Sequence, residues 1–327
     1  MRIALLGYGN VARAFFSFQN SNAERLRREY GLELKICLAA NSKGYLDLTR
    51  IDAELTVAPA EAWEPADWHQ DPALFARHCI DAGVQTVIET LPNNLQDGEP
   101  ALSLDLAIVR AGLNLVTVNK GPLVHGCERL SAACIRQHQI AYRAATGGAL
   151  PTSSFALQEL PPARVTRIRG ILNGTTNYIL SRMFQRKQSL EFALQEAQSL
   201  GIAEPDPSFD LDGWDTACKL LIISNAVVGA RLKLSDVEVV GIRGVAATGS
   251  NYKLFARAEY SESRWKLHVR PEPVRPYDPF YFVNGTEKAI EFETDILGTF
   301  FLRGGISGRE PIAATIVKDL LHMGNLE

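Results

Sequence analysis

The stretch MRIALLGYGNVA, residues 1–12, decides the fold of the first half of the chain. Its apolar run, Ile3 to Leu6, ends at Gly7 and gives way to a segment whose apolar residues fall on one helical face. Residues 7–12 fit the pattern GxGxxG/A, in which small residues let a pyrophosphate approach backbone N–H groups at a helix N-terminus. The pattern alone is weak, and a glycine-rich tight turn without a ligand is the alternative. Its place between a strand and a helix favours a dinucleotide-binding turn.

The same alternation of apolar runs and helical stretches continues through the first half of the chain. Apolar runs at 34–40, 84–88 and 113–118 alternate with helical stretches. Strands that alternate with helices predict right-handed crossovers and a parallel sheet. We therefore expect a Rossmann-type, doubly wound α/β domain over residues 1–142, completed by the C-terminal segment 303–327.

The pattern changes after Pro151. A strand-like run at 165–172 is followed by two helical segments, 189–200 and 213–228, and a glycine comes directly after each. From 236 to 302 the apolar residues alternate as they do in half-buried strands. We expect a second, α+β domain with a mixed sheet over residues 143–302.

Composition excludes several classes of protein. The chain has 327 residues and a formal net charge of −3, with acids and bases mixed and no basic stripe, so nucleic acid is not an expected partner. The five cysteines are scattered and never form CxxC, which favours reduced thiols over a disulfide framework or zinc cluster. The opening apolar run is too short for a signal peptide, and no stretch is long enough to span a bilayer. We expect a cytoplasmic protein without a membrane partner.

The end of the second predicted strand bears on which dinucleotide would bind. NAD-preferring sites usually carry an Asp or Glu there for the ribose 2′-hydroxyl. This chain instead reads Ala40, Asn41, Ser42 and Lys43. The missing acid and the available lysine favour NADP(H), with NAD(H) as the alternative cofactor. Lys43 could equally be a solvated loop lysine.

Two charged residues stand four apart at the start of the apolar helix 213–228. Asp215 and Lys219 project from one helical face, so the carboxylate can hold the ammonium. On a surface helix the same spacing is a routine salt bridge that stabilises the fold by about 0.3–0.5 kcal/mol. Without further context, both interpretations stay open.

An acidic segment precedes that helix. Four acids lie within nine residues beside two prolines: Glu204, Asp206, Asp210 and Asp212. So much negative charge suits the ammonium of an amino acid, or a metal. A solvated loop in which Asp212 caps the following helix is the alternative.

A lysine follows the predicted strand 113–118. Lys120 comes after Asn119 at the carboxyl edge of the sheet, where open α/β sheets bind ligands. It could face cofactor and substrate there, although a lone lysine at a strand end is more often a surface charge.

Four separate blocks, in order along the chain, resemble the homoserine dehydrogenase family over essentially its whole length. Residues 170–180 read GILNGTTNYIL, and Asn119-Lys120 matches the strand-end NK of that family. The segment EPDP at 204–207, with Asp210, Gly213, Asp215 and Lys219, matches its substrate loop and catalytic helix, and ANSK at 40–43 is similar to its NADP-using members. The resemblance implies the NAD(P)-dependent interconversion of L-homoserine and L-aspartate 4-semialdehyde, in threonine, methionine and isoleucine biosynthesis.

The resemblance also implies roles for individual residues. Lys219 would donate and accept the proton with Asp215 beside it, and Lys120 would lie between nicotinamide and substrate. A lysine with the ordinary pKa of about 10.4 is an acid at neutral pH and a poor base, so homoserine oxidation should quicken as pH rises. Glu204 and Asp210 would hold the ammonium and hydroxyl side of homoserine, and the backbone of Asn173, Gly174, Thr175 and Thr176 its carboxylate. The expected cofactor-binding residues are Gly7, Gly9, Asn10, Val11, Asn41, Ser42, Lys43, Thr90 and Lys120.

The resemblance further implies that the sheet of the second domain pairs across a homodimer, so that this domain serves substrate binding, catalysis and dimerisation. Members with feedback control carry a regulatory domain after the catalytic region. Because the sequence ends at Glu327 without such a domain, threonine feedback through it is not expected.

Two segments depart from the family pattern. Where the family offers a glutamate and carbonyls to a monovalent cation, this chain has Arg143. An arginine cannot ligate a cation, so we expect no metal and the Arg143 guanidinium in its place; an ion at Thr146, Gly148 and Leu150 would refute this. The family's GxGAG is replaced by GGISG at 304–308, where Ile306 adds bulk close to the expected cofactor.

Two other functions compete with this hypothesis. A dehydrogenase of similar architecture could act on another amino-acid semialdehyde, because a fold alone does not choose the substrate. A catalytically silent NADP-binding protein is the second alternative. The block at 173–176 argues against the first, and the intact set of Lys120, Asp215 and Lys219 against the second.

Overall fold

In the computed structural model the described residues are 1–42, 44–49, 63–65, 71–246 and 249–324. The chain divides into two units. The first unit comprises Met1–Ala145 with Gly308–Glu327, and the second unit comprises Thr146–Ser307.

The first unit contains a seven-stranded sheet with the order β4-β3-β2-β1-β5-β6-β7. The strands are β1 (Arg2–Leu6), β2 (Lys35–Asn41), β3 (Gly44–Asp47), β4 (Glu64–Pro65), β5 (Thr86–Glu89), β6 (Asn114–Thr117) and β7 (Ile140–Ala141). Five neighbouring strands run parallel, in the order β2-β1-β5-β6-β7. This confirms the predicted parallel sheet. The antiparallel edge formed by β3 and β4 was not predicted.

Helices cover both faces of this sheet. They are α1 (Asn10–Tyr30), α2 (Pro72–Asp81), α3 (Ala101–Arg110), α4 (Lys120–Ala133) and α11 (Arg309–Gly324), and the short α5 (Arg143–Thr146) ends at the border of the unit. Alternation along β1 sends Ile3 and Leu5 into one core, with Phe15 of α1 and Ile316 of α11. Ala4 and Leu6 enter a second core with Phe75, Cys79 and Ile108. The sheet is therefore buried on both faces, as a doubly wound fold requires.

The second unit contains a six-stranded sheet with the order β13-β12-β8-β10-β11-β9. The strands are β8 (Val165–Ile171), β9 (Val237–Val239), β10 (Tyr252–Ser261), β11 (Arg264–Pro273), β12 (Lys288–Thr294) and β13 (Thr299–Gly304). β9 is parallel to β11, and the other neighbours are antiparallel. The predicted mixed sheet is confirmed.

The helices of the second unit are α6 (Ser153–Glu159), α7 (Gly174–Arg186), α8 (Leu190–Ser199), α9 (Ser208–Leu211) and α10 (Trp214–Val228), with 3₁₀ turns at Leu234–Asp236 and Pro279–Phe282. α10 lies between two glycines in the left-handed conformation, Gly213 with φ 86° and Gly229 with φ 64°. Residues with a Cβ rarely adopt that conformation, so glycine fixes both ends of the helix. The apolar body of α10 packs on β8, β10 and β11, which holds its first turn against the sheet.

A search of the described helices found none with the length and apolar character needed to cross a lipid bilayer.

Candidate active site

The turn between β1 and α1 is built for close backbone approach. Gly7 has φ +91°, and a Cβ placed on it would lie 2.9 Å from the carbonyl carbon of Thr90. Its N–H donates to the carbonyl of Ala40 over 2.9 Å, and Thr90 Oγ1 donates to the carbonyl of Gly7 over 2.9 Å. The glycine turn is thereby tied to the carboxyl ends of β2 and β5, where ligands bind in open α/β sheets.

The first turn of α1 suits the phosphates of a dinucleotide. Within the part of the chain that the structure describes, Gly9 precedes Asn10 and Val11 without any side chain capping the helix. The first N–H groups of an α-helix have no partner within the helix, and the phosphates of a dinucleotide can accept from them. A Cβ on Gly9 would meet no atom of the described residues within 4 Å, so this part of the structure leaves room for a ligand beside it. The sequence-predicted residues Gly7, Gly9, Asn10, Val11 and Thr90 are brought together in this turn.

The variant Gly9→Ala should weaken ligand binding and leave the stability of the fold almost unchanged. The φ of Gly9 is −90°, which an alanine adopts, and its methyl group would contact no described protein atom. We expect the stability to change by less than about 0.5 kcal/mol. The affinity for NADP(H) should fall at least about tenfold, because the methyl group would fill space needed by the pyrophosphate.

The measurements are thermal unfolding without ligand and titration with NADPH. Gly244→Ala is a matched control, since its Cβ would also lie more than 4 Å from the rest of the described structure. If Gly9→Ala bound NADPH as tightly as Gly244→Ala, the glycine turn would not be the phosphate site.

The residues expected to contact the ribose lie at the end of β2. Asn41 is the last residue of this strand, and its Oδ1 accepts a hydrogen bond from the N–H of Gly44 over 3.2 Å. Ser42 follows with an exposed side chain, and Lys43 lies outside the described residues. Asn41 therefore shapes the turn through which the chain reaches β3.

A buried carboxyl group joins the ends of β5 and β6. Glu89 accepts from Thr117 Oγ1 over 2.5 Å and from the N–H of Leu91 over 2.6 Å, and Asn119 Nδ2 lies 3.3 Å from it. Burial raises the pKa of Glu89 to about 7, against the lowering effect of these hydrogen bonds. Asn119 in turn caps α4 by accepting from the N–H of Gly121 over 2.9 Å. Glu89 thus fixes two loops at the carboxyl edge of the sheet.

Lys120 begins α4 directly after this cap, and its N–H donates to Asn93 Oδ1 over 2.7 Å. Sequence reasoning found Lys120 and missed Glu89. The detectable signal was an acid closing the apolar run Val84–Ile88.

In the second unit, β8 and α7 meet at Asn173. Its Oδ1 accepts from the N–H of Thr176 over 2.8 Å and caps α7. Its Nδ2 donates to Asp210 Oδ1 over 2.7 Å and to Asp215 Oδ2 over 2.8 Å. One amide therefore joins two carboxylates that come from α9 and α10.

Lys219 completes this group. Its Nζ donates to Asp215 Oδ2 over 2.6 Å and to the carbonyl of Leu172 over 3.0 Å. The side chains of Lys219 and Asp215 are 17% and 9% exposed, so this is a largely buried pair and not a surface salt bridge. The structure brings together Asn173, Asp210, Asp215 and Lys219, four of the residues predicted from sequence. We call them the 173–219 cluster.

The 173–219 cluster contains two carboxylates, those of Asp210 and Asp215, and one ammonium, that of Lys219. Burial and the neighbouring Asp215 carboxylate raise the pKa of Asp210, while the hydrogen bond from Asn173 opposes that shift. Two carboxylates face one ammonium here, so a second cation would be held favourably. A small amino acid carries such a cation as its own ammonium group.

The remaining predicted substrate residues surround the cluster. Thr175 Oγ1 donates to the carbonyl of Ile202 over 3.1 Å, which ties α7 to the segment leading toward Glu204. A Cβ on Gly174 would lie 2.9 Å from both Ser307 Oγ and the carbonyl of Thr286, so only glycine fits there. The side chain of Glu204 is exposed, and the structure does not place its carboxylate in the 173–219 cluster.

Two basic groups contact the segment that is expected to lack a metal, Arg143 from within it and Lys288 from β12. Arg143 pairs with Asp319 of α11, with 2.5 Å between Nη1 and Oδ1. The carbonyl of Gly147 accepts a hydrogen bond from Lys288 Nζ over 2.8 Å. Sequence reasoning looked only to Arg143 and missed Lys288. Within the described residues, no three His, Cys, Asp or Glu side chains gather as a metal site would require.

Comparison with known proteins identifies a family. The family model described as homoserine dehydrogenase matches residues 151–321. A homoserine dehydrogenase of Methanocaldococcus jannaschii is 32% identical over 99% of both chains. An NAD(+)-dependent homoserine dehydrogenase of Pseudomonas canavaninivorans is 28% identical over 98% of this chain and 96% of its own. The crystal structure of a homoserine dehydrogenase from Thiobacillus denitrificans superposes with a TM-score of 0.82 at 28% identity, over all of this chain and 73% of that one. The chain belongs to the homoserine dehydrogenase family.

Proposed function

We propose that the protein interconverts L-homoserine and L-aspartate 4-semialdehyde, with NADP(H) as the preferred cofactor, in the biosynthesis of threonine, methionine and isoleucine. The observation that carries the proposal is the 173–219 cluster, where a buried ammonium lies beside two carboxylates at the end of β8. An ammonium can give a proton to a new alcohol oxygen, and the second carboxylate can hold the ammonium of the substrate.

In this mechanism Lys219 is the acid of the reductive direction. Its Nζ gives one proton to the aldehyde oxygen as that oxygen becomes the hydroxyl of homoserine. When bound, a nicotinamide cofactor would supply the hydride for the aldehyde carbon. Asp215 and the carbonyl of Leu172 orient the ammonium before transfer, because both accept hydrogen bonds from it.

The resemblance to the family supports the roles of the other residues. Asp210 would bind the substrate ammonium with the help of Glu204, and the N–H groups of Gly174 and Thr175 at the start of α7 would bind the carboxylate. Lys120, at the carboxyl edge of the first sheet, would serve both nicotinamide and substrate.

The rate of the reverse reaction, homoserine oxidation, should depend on pH. Homoserine oxidation requires Lys219 to accept a proton, so its amine must first be neutral. We expect the oxidation rate to rise as pH increases from neutral to alkaline, and the reductive rate to dominate near neutrality. Initial rates in both directions across this range, at saturating substrates, measure it. An oxidation rate that fell on the alkaline side would contradict a lysine base.

A direct assay tests the choice of substrate. Consumption of NADPH, followed by its absorbance, should be fast with aspartate 4-semialdehyde and slower by orders of magnitude with glutamate 5-semialdehyde. Comparable rates would support the alternative dehydrogenase of another semialdehyde. NADPH binding without turnover of either aldehyde would support the silent binding protein.

The cofactor preference rests on the end of β2, where Asn41, Ser42 and Lys43 stand in place of an acid. We expect a higher kcat/KM with NADPH than with NADH. Lys43→Ala should lower that ratio about tenfold, because one charged contact to the 2′-phosphate is lost. Lys35→Ala, at the other end of β2, is the matched control. An unchanged ratio in Lys43→Ala would remove this residue from phosphate recognition.

We also propose that the protein works as a homodimer in the cytoplasm. β13 is an edge strand of the second sheet, and pairing with a second copy would cover such an edge. Light scattering should then give twice the chain mass of 36.0 kDa. The five cysteines are free thiols, as a reducing compartment favours.

A further inference from the structure

A second buried lysine lies close to the 173–219 cluster. Lys288 begins β12 and is only 7% exposed. Its neighbour Ala289 packs into a core with Phe255 and Phe280. Strand alternation therefore turns Lys288 to the opposite face of the sheet. Burying an ammonium is costly unless it is paired, so a lysine at this position calls for an explanation.

Lys288 is bound to the turn that leads into α6. Its Nζ donates to the carbonyl of Gly147 over 2.8 Å. A Cβ on Gly148 would lie only 3.3 Å from Nζ, so the ammonium fills the space beside this glycine. The N–H of Leu150 approaches the same carbonyl over 3.2 Å and closes the turn. Lys288 therefore ties residues 147–150 to the six-stranded sheet of the second unit.

Lys288 also lies within electrostatic reach of the reactive pair. Burial first and then the Lys219 ammonium lower the pKa of Lys288 to about 8, while the Asp215 carboxylate opposes that shift. A charged Lys288 adds a second positive charge near the Asp215 carboxylate. The same charge helps to balance two carboxylates that share one ammonium.

The other charged groups of the adjacent strands are paired among themselves. Glu287, directly before β12, accepts from Arg303 of β13 over 2.7 Å. On β8, Arg169 pairs with Asp278 over 2.5 Å, and Arg167 pairs with Glu293 over 2.7 Å. The charged groups that act on Lys288 are therefore Lys219 and Asp215 of α10.

We propose that Lys288 is a positioning residue of the active site, a built-in cation that fixes the turn 147–150 and places a second positive charge beside the Asp215–Lys219 pair. The inference rests on the proposed function. Since the cation is covalently attached, the reaction needs no monovalent cation from solution.

Lys288→Gln separates the charge from the hydrogen bond, because the amide can still donate to the Gly147 carbonyl. We expect kcat for aspartate semialdehyde reduction near neutral pH to fall roughly tenfold or more, with a smaller change in KM. The pH profile of homoserine oxidation should change below about pH 8, where the native Lys288 carries its charge. Lys288→Arg, which keeps the charge, should return the profile toward that of the native enzyme.

Lys253→Met is the matched control for burial. Lys253 is fully buried in the same sheet, and its Nζ donates to Asn177, Ser181, Asn284 and the carbonyl of Val283. Its replacement should lower the melting temperature and leave the pH profile unchanged. A profile that moved equally in Lys253→Met would show a general effect of lost stability and would overturn the proposal.

The native enzyme supplies an independent measurement that does not depend on any variant folding. Its rate should be the same in sodium, potassium and choline chloride at equal ionic strength. A requirement for sodium or potassium, or a Lys288→Gln enzyme with native kcat and pH profile, would overturn the proposal. Failure of the native protein to oxidise homoserine would instead overturn the proposed function and this inference with it.

Discussion

Lys219→Ala should lower kcat for aspartate semialdehyde reduction by about 10²- to 10⁴-fold, the usual contribution of a positioned general acid. The lysine Nζ hydrogen-bonds Asp215 and the carbonyl of Leu172, so its removal takes away the proton donor of the cluster. The glycine turn lies in the first unit and Lys219 in the second, so NADPH affinity should be retained. Single-turnover reduction and NADPH titration measure the two effects separately.

Lys266→Ala is the matched control for this variant. Lys266 also pairs with an acid four residues away, Glu262, but their side chains are 45% and 71% exposed. Exposed pairs of this kind contribute little, so kcat should stay unchanged. A Lys219→Ala enzyme that turned over as fast as Lys266→Ala would remove Lys219 from the mechanism.

Asp215→Asn should have the next largest effect, a loss of about 10²-fold or more in kcat together with lower stability. Asp215 Oδ2 accepts hydrogen bonds from both Lys219 and Asn173. The neutral amide leaves the Lys219 ammonium largely buried without its partner charge, which costs about 3–5 kcal/mol for a buried pair. Urea unfolding and steady-state kinetics measure the two effects.

Glu262→Gln provides the comparison for Asp215→Asn, because it removes the charge of the exposed pair with Lys266. It should change stability by less than about 0.5 kcal/mol. An Asp215→Asn protein as stable and as active as Glu262→Gln would show that the Asp215–Lys219 pair is incidental.

The sequence predicted the first sheet well because both faces of it are buried. Central strands such as β1 and β5 read as short apolar runs, and the glycine turn after β1 marks the first crossover. The antiparallel strand β3 could not be predicted in the same way. It pairs with β2 only through the chain reversal after Asn41, and its four residues, GYLD, have no alternating pattern.

The candidate site was predictable where its residues are close in sequence. Asp215 and Lys219 share one helical face, and the structure confirms that they pair. Their burial was not predictable, because it depends on how α10 packs on the sheet. The side chain of Asn173 was not recognised as a bridge between Asp210 and Asp215, since its partners lie 37 and 42 residues further along the chain.

The contacts of Lys288 and Glu89 could not be predicted from local sequence patterns for the same reason. Lys288 binds the carbonyl of Gly147, 141 residues away, and Glu89 binds Thr117, 28 residues away. Each is a single charged residue at the end of an apolar strand, and only the folded sheet reveals its partner. Periodicity reports which face a residue occupies and carries no information on such distant contacts.

The most direct test of the mechanism is the distance from Lys219 Nζ to the substrate hydroxyl in a crystal structure with L-homoserine and NADP bound. We expect the two atoms within hydrogen-bonding distance, about 2.6–3.2 Å, with the substrate ammonium on Asp210. An amine that pointed into solvent, or lay too far from the hydroxyl for even one bridging water, would contradict Lys219 as the proton donor.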